Sequence, residues 1–288
     1  MKALVVILLA GCCGLVGLAH ADATYIVSEA TASYESNLGH AEHRSDIQDD
    51  SSFTVGASAS HSILLSHNSG LVLSANAKLK EQALYDDLSR VGLGVRARYR
   101  IQPVSGFTSP WIELAVGAER LEHRDSEIRD GWLGDFAVTV GKHFTDQLQM
   151  YGGWSLQRRY AGQSDVFELH NQQISLSADY KPTGKLTIYA NAARIFGDQV
   201  STASIPPIGK SLANTAKAIA DDTALEKNGD SRKAYRIGAA TNTFELGLNY
   251  ALRGDTALDV SILQFNTDAD SGHSYEGLTA RAGLLYRF

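Results

Sequence analysis

The chain has 288 residues, 44% of them hydrophobic and 20% charged, with a formal net charge of −6. That acidic balance excludes a basic nucleic-acid-binding surface, so no nucleic acid is expected as a partner. Its only two cysteines, Cys12 and Cys13, are adjacent and close to the N-terminus, so no disulfide framework is available to the remainder of the chain.

The N-terminus, MKALVVILLAGCCGLVGLAHA, places Lys2 before an apolar run that ends in the small-x-small triplet Ala19-His20-Ala21. This is the layout of a secretory signal peptide cut after Ala21, which leaves residues 22–288 as the mature domain. A competing reading comes from LAGC (Leu9 to Cys12), which resembles a bacterial lipoprotein cleavage box with Cys12 lipidated. The apolar core before Cys12 is very short, however, and Gly14 to Ala19 stay apolar where a lipoprotein turns polar.

Beyond Ala21 no apolar run approaches the length of a membrane helix. Segments of about ten residues with period two take its place. In chain order they are Thr24–Glu35, Ser52–Leu65, Leu71–Lys80, Arg90–Ile101, Trp111–Glu122 and Trp132–Phe144. Leu148–Ala161, Phe167–Tyr180, Leu186–Phe196, Tyr235–Leu252, Thr256–Asn266 and Tyr275–Phe288 complete the set. Arg90–Ile101 is typical: Val91, Leu93, Val95, Ala97, Tyr99 and Ile101 alternate with Gly92, Gly94, Arg96, Arg98 and Arg100. Short turns (SHNSG, PVSGFTSP, TDQ, KPTGK, RGD) alternate with longer polar links, the longest being Gly197–Ala234.

A soluble sandwich also alternates, but its exposed face carries more charge than these faces of Ser, Gly, Asn and Thr. Export, an even strand count and one-sided turn lengths predict an all-β fold. The expected form is a transmembrane antiparallel up-and-down barrel of about twelve strands, with its apolar face in lipid. The final LLYRF, with Tyr286 two residues before Phe288, resembles the C-terminal signature of Gram-negative outer-membrane barrels. YESNL (Tyr34–Leu38) resembles, more weakly, a motif of several such barrels. The resemblance implies residence in the outer membrane with both termini periplasmic. It also implies contact with outer-membrane lipid and lipopolysaccharide, and a last strand read by the barrel-assembly machinery through Tyr286 and Phe288.

In such a barrel the polar face lines the lumen. Lys78, Lys80, Arg96, Arg98, Arg100 and Arg281 are its basic residues, with Glu113 and Glu119 beside them. A turn near Ser105–Gly106 brings Arg98 or Arg100 opposite Glu113. Either these charges pair and fill the lumen, or the bases without an obvious partner (Lys78, Lys80, Arg96) guide small polar or anionic solutes through it. Within Gly197–Ala234, Leu212, Ala216 and Ile219 recur at helical spacing and predict a helix over about Ser211–Lys227. That segment would either insert as a constriction, cap the outer mouth, or be partly disordered.

Aromatic residues near strand ends (Tyr99, Trp111, Trp132, Phe144, Tyr180, Tyr250, Tyr286) read as interfacial girdles. Arg253–Asp255 reads as turn chemistry rather than an adhesion motif. His67 and Ser69 are two apart, as in the outer-membrane phospholipase class, but sit in a turn rather than on a lipid-facing strand. His61 faces lipid without an adjacent acid or amide. No metal-ligand spacing or phosphate-binding glycine loop occurs, so no cofactor and no enzyme is expected. A porin-like channel is the leading expectation, with a filled, partner-binding barrel as its rival.

Overall fold

A computed structural model describes residues 23–204, 208–226 and 229–288. The expected cleavage after Ala21, and Cys12, lie outside the described residues. The strands are β1 (Ala23–Glu35), β2 (Asp50–Ser66), β3 (Ser69–Gln82), β4 (Arg90–Ile101), β5 (Trp111–His123), β6 (Gly131–His143) and β7 (Leu148–Ala161). They continue with β8 (Leu169–Tyr180), β9 (Leu186–Ser204), β10 (Ala218–Asp221), β11 (Arg232–Ala251), β12 (Thr256–Ala269) and β13 (Ser274–Arg287). One α-helix, α1 (Ile208–Thr215), precedes β10.

Every pairing is antiparallel between chain neighbours, β9 pairs with β11, and β1 closes on β13 from Val27↔Arg287 to Glu35↔Thr279. Twelve strands therefore form a closed ring, with β10 as an extra strand. Closure satisfies the backbone donors and acceptors that lipid would otherwise leave unpaired. The described N-terminal residue, the C-terminus and the β2–β3, β4–β5, β6–β7, β8–β9 and β11–β12 turns share one end, the turn end. The other six connections gather at the opposite, loop end.

The pattern of exposure is the reverse of a soluble domain. Val95 and Leu93 are 61% and 57% exposed on the outside of β4, and Ile174 and Leu176 are 59% and 56% exposed on β8. In lipid each such side chain recovers about 1.5–3 kcal/mol relative to water. The most enclosed residues lie instead at the loop end: Asp222 and Ala234 are 0% exposed, Val166 and Ile237 1%.

The long link departs from the expected loop and helix. β9 continues past Gly197 to Ser204, because its backbone keeps pairing with β11. Gly197 has φ +137, and a Cβ there would lie 2.1 Å from the carbonyl oxygen of His170, so only glycine lets the strand run on. The helix ends at Thr215 rather than near Lys227, because Ala218–Asp221 finds a sheet edge to join. β12 pairs with β11 only from Ala239 onward, leaving the loop-end stretch of β11 with an open edge, and β10 pairs there with Lys233–Arg236.

Candidate functional site

The lumen face follows from strand parity. Inward positions enclose a cavity of about 490 Å³ lined by residues of β1–β5, β9 and β11–β13. Lys78, Lys80, Glu119 and Arg281 line it. Arg96, Arg98, Arg100 and Glu113 occupy the same faces of β4 and β5 nearer the turn end.

The bases with no evident partner in sequence have one in space. Lys78 Nζ is 3.6 Å from Glu29 Oε1, and Lys80 Nζ is 2.9 Å from Glu35 Oε1. Arg96 pairs with Asp135. Arg100 and Glu113 face each other in register and form a bidentate pair, Nε and Nη2 lying 2.9 and 2.7 Å from Oε2. These partly exposed pairs contribute little stability, on the order of 0.2–1 kcal/mol each. Their main effect is to cancel the cationic excess that would have favoured anions.

Glu29 and Glu35 are legible by the same period-two reading, since they share one face of β1 with Thr31 and Ser33. Tyr189, Glu245 and Asp259 are legible in the same way. The Tyr189 hydroxyl donates to Asp259 Oδ1 at 3.0 Å, and Asn249 donates to Asp259 Oδ2 at 3.2 Å. Trp111 is a correction: it faces the lumen, 7% exposed, with the Arg100 guanidinium 4.2 Å over its ring. The ring lies flat on Gly141, where a Cβ would come within 2.1 Å. Trp132, Phe144, Tyr180, Tyr250 and Tyr286 stay outward and exposed.

Over the cavity sits a cap built by the loop-end extension of β9, β10 and β11. Its centre is Asp222, whose Oδ2 accepts from Arg129 Nη2 at 2.7 Å and from Thr202 Oγ1 at 2.8 Å. Arg129 also stacks on Phe167, 4.4 Å from the ring centre. No sequence signal links Arg129 to Asp222, which lie on different loops 93 residues apart.

The β1–β2 loop holds the other side of the cap. Thr202 N donates to Gly39 O at 2.8 Å, Gln48 Nε2 to Leu225 O at 2.7 Å, and Ser204 Oγ to Asp46 Oδ1 at 2.7 Å. His40 stacks on Tyr275 with ring centres 5.4 Å apart, and its Nδ1 donates to Val200 O at 3.2 Å. Burial among these groups holds the imidazole below its ordinary range; the Val200 carbonyl and Glu35 pull more weakly the other way.

Of the expected constriction residues, Leu212 is buried in one cluster with Tyr235, Ile237 and Tyr275, and Ala216 packs against it. Ile219 is 43% exposed and is not part of that cluster. β10 presents Ala218 and Ala220 instead, against Val166 and Phe167.

The turn motifs lie where the sequence reading puts them. Ser69 Oγ bonds Ser66 Oγ at 2.7 Å in the β2–β3 turn, and Arg253–Asp255 forms the β11–β12 turn. His61 has Thr24 Oγ1 at 2.9 Å from its Nδ1. Among the described residues no group of three His, Cys, Asp or Glu side chains has the geometry of a metal site.

Closed antiparallel strands, an apolar outer belt and a polar lumen define the class: this is the fold of the Gram-negative outer-membrane β-barrels. Among solved structures the chain is similar to an outer-membrane channel from Pseudomonas putida F1. The TM-score is 0.59 at 10% identity, over 92% of this chain and 95% of the channel. It is also similar to the NanC porin (TM-score 0.47, 10% identity, 90% and 98% coverage). A third is the KdgM porin in complex with disordered oligogalacturonate (TM-score 0.46, 11% identity, 92% and 99% coverage). At these identities the likeness is one of fold. No protein-family model and no curated protein matches the sequence.

Proposed function

We propose that the protein is a porin-like channel for small polar solutes in the Gram-negative outer membrane, and that its loop-end cap is a gate. The observation carrying this reading is the charged cavity of about 490 Å³ enclosed by the ring beneath that cap. Residues 22–288 form the barrel after removal of a signal peptide, with both termini and the short turns periplasmic and the cap outside. The belt of exposed leucine, isoleucine and valine meets outer-membrane lipid and lipopolysaccharide, and the last strand is the signal for the assembly machinery. With Lys78, Lys80 and Arg96 paired to carboxylates the lumen carries no cationic excess, so its solutes are small and polar rather than anionic.

Polar contacts between loops join two small apolar clusters in the cap, and those polar contacts suit a gate. Water can replace hydrogen bonds between loops at small net cost, whereas the ring's ladder bonds have no such substitute in lipid. The same closure favours a second reading, a filled barrel whose loops bind a partner and which never conducts.

A reversible lock separates the two readings. A Cβ on Gly39 would lie 3.6 Å from Thr202 Cβ, within the roughly 3.5–4.5 Å a disulfide requires. The expected mature chain has no other thiol. The Gly39→Cys/Thr202→Cys barrel should conduct in planar bilayers when reduced and fall silent when oxidised, with each single variant indifferent to oxidant. Silence of wild type and reduced variant alike would support the filled barrel. Equal conductance in both redox states would remove the cap as the gate.

A further inference from the structure

The cavity holds charges of both signs that no described residue pairs. Lys78 and Lys80 have Glu29 and Glu35, but Arg90, Glu119, Glu245 and Arg281 line the same space and form no ion pair with any described residue. Register explains this. Arg90 lies opposite His123 and Glu119 opposite Gly94, a backbone offset of four positions or about 13 Å, and the Glu119 carboxylate reaches back to Gly92, one inward position short of Arg90. Arg281 lies opposite Ser261, which lies opposite Gly247. Glu245 is therefore two strands away, roughly 10 Å, and one inward position further along.

In the ring of twelve strands, β4 and β5 stand across the lumen from β11 and β13. The β4–β5 wall thus offers one guanidinium and one carboxylate without an ion pair, and the facing wall offers Arg281 and Glu245 together with Asp259, a second carboxylate that is hydrogen-bonded to Tyr189 and Asn249. A simple anion there meets a carboxylate on either wall, and a simple cation meets a guanidinium. Each is attracted and repelled at once, which is how a site discriminates against the wrong charge. A neutral polyol gains neither attraction. A short molecule carrying both charges answers both groups and recovers two charge-assisted hydrogen bonds for the water it loses.

We infer that this cavity is a subsite for small zwitterionic solutes, with Arg281 holding the anionic group and Glu245 the cationic one. The inference rests on the reading of the barrel as a channel, and it names the solute that channel favours. A zwitterion needs no net field to draw it in, which suits a lumen where Lys78, Lys80, Arg96 and Arg100 are all paired with carboxylates. Tyr189, held by Asp259 at 3.0 Å, and Ser261 complete the wall between the two charges.

The test uses the refolded barrel in liposomes with membrane potential clamped at zero. The probes are taurine, isethionate (the same skeleton with hydroxyl for ammonium), choline and uncharged erythritol. Taurine should enter about tenfold faster than isethionate or choline, the factor expected from one recovered hydrogen bond to a charged group. Arg281→Gln or Glu245→Gln, each checked for heat-modifiable migration, should bring that ratio close to one. Calorimetric titration of the detergent-solubilised barrel with taurine should give saturable heat that both variants lose.

If erythritol enters but taurine shows neither preference nor heat, the subsite falls and the channel stands. If nothing enters while taurine still binds, the channel reading falls and the subsite stands. Preference and binding unchanged in both variants overturn the assignment to these residues.

Discussion

Asp222 is fully enclosed, and both hydrogen bonds described for its Oδ2 come from segments far from it in sequence, Arg129 and Thr202. Removing one partner of a buried pair leaves the other desolvated and uncompensated, which costs about 3–5 kcal/mol. Asp222→Ala should therefore raise the open fraction in single-channel recordings and expose the β10 segment to protease, with Asp222→Asn intermediate. Unchanged openings would show that the pair does not hold the cap. His40 adds a pH dependence whose sign follows from its burial. The closed cap holds its pKa below the ordinary 6.5, so the opened cap protonates first as pH falls. Closure is at full strength above about 6.5 and weakens as pH drops toward the lowered value. Openings should become more frequent as pH falls from about 7.5 to about 5, a window that brackets the ordinary histidine pKa, as measured by bilayer recording. His40→Asn, which tolerates the φ of 51 found there, should flatten the profile. Trp111 shows where residue-level reading stops. Parity puts it on the lumen face, but its size and place at a strand end also match an interfacial anchor. Gly141, on the neighbouring strand, is what makes room for it inside.

At the scale of elements, β9 and β11 are much longer than the 9–11 residues that cross a bilayer, at 19 and 20 residues. Their excess is the cap. Period two is readable along most of both strands, but Gly197 reads in sequence as a stop. Whether a glycine ends a strand or permits it depends on what lies beside it, here the His170 carbonyl. The helix predicted from sequence is too long for a related reason. Alanine-rich sequence from Ala216 onward suits helix in isolation, but the uncovered edge of β11 recruits Ala218–Asp221 as a strand. Ser204 and Arg232 face each other in register, so a turn of about four residues can replace everything between them. That excision should leave a heat-modifiable barrel and raise conductance, checked by gel migration and bilayer recording. A chain that no longer folds would mean the extension is needed to close the ring.

For the whole molecule, the seam between β1 and β13 turns twelve strands into a ring without edges. Its final bond runs from the Phe288 amide to Ile26 O at 2.9 Å, while the Phe288 ring is 69% exposed and touches Tyr286 edge-on. Alanine would keep the backbone bond and lose only the ring. Phe288→Ala should therefore refold in detergent like the parent, while its amount in the outer membrane of cells falls several-fold by immunoblot. Equal amounts would withdraw the assembly role for the terminal ring. The alternation of apolar and polar residues, together with the turn residues between segments, is enough to specify a twelve-stranded ring and to say which residues face its lumen. Side-chain direction in a strand has a period of two that no partner can alter. Which lumen charges find partners and how the loop end closes depend on contacts such as Lys78 to Glu29 and Arg129 to Asp222, 49 and 93 positions apart. Shear between strands and the meeting of separate loops set those distances, and neither leaves a local mark in the chain.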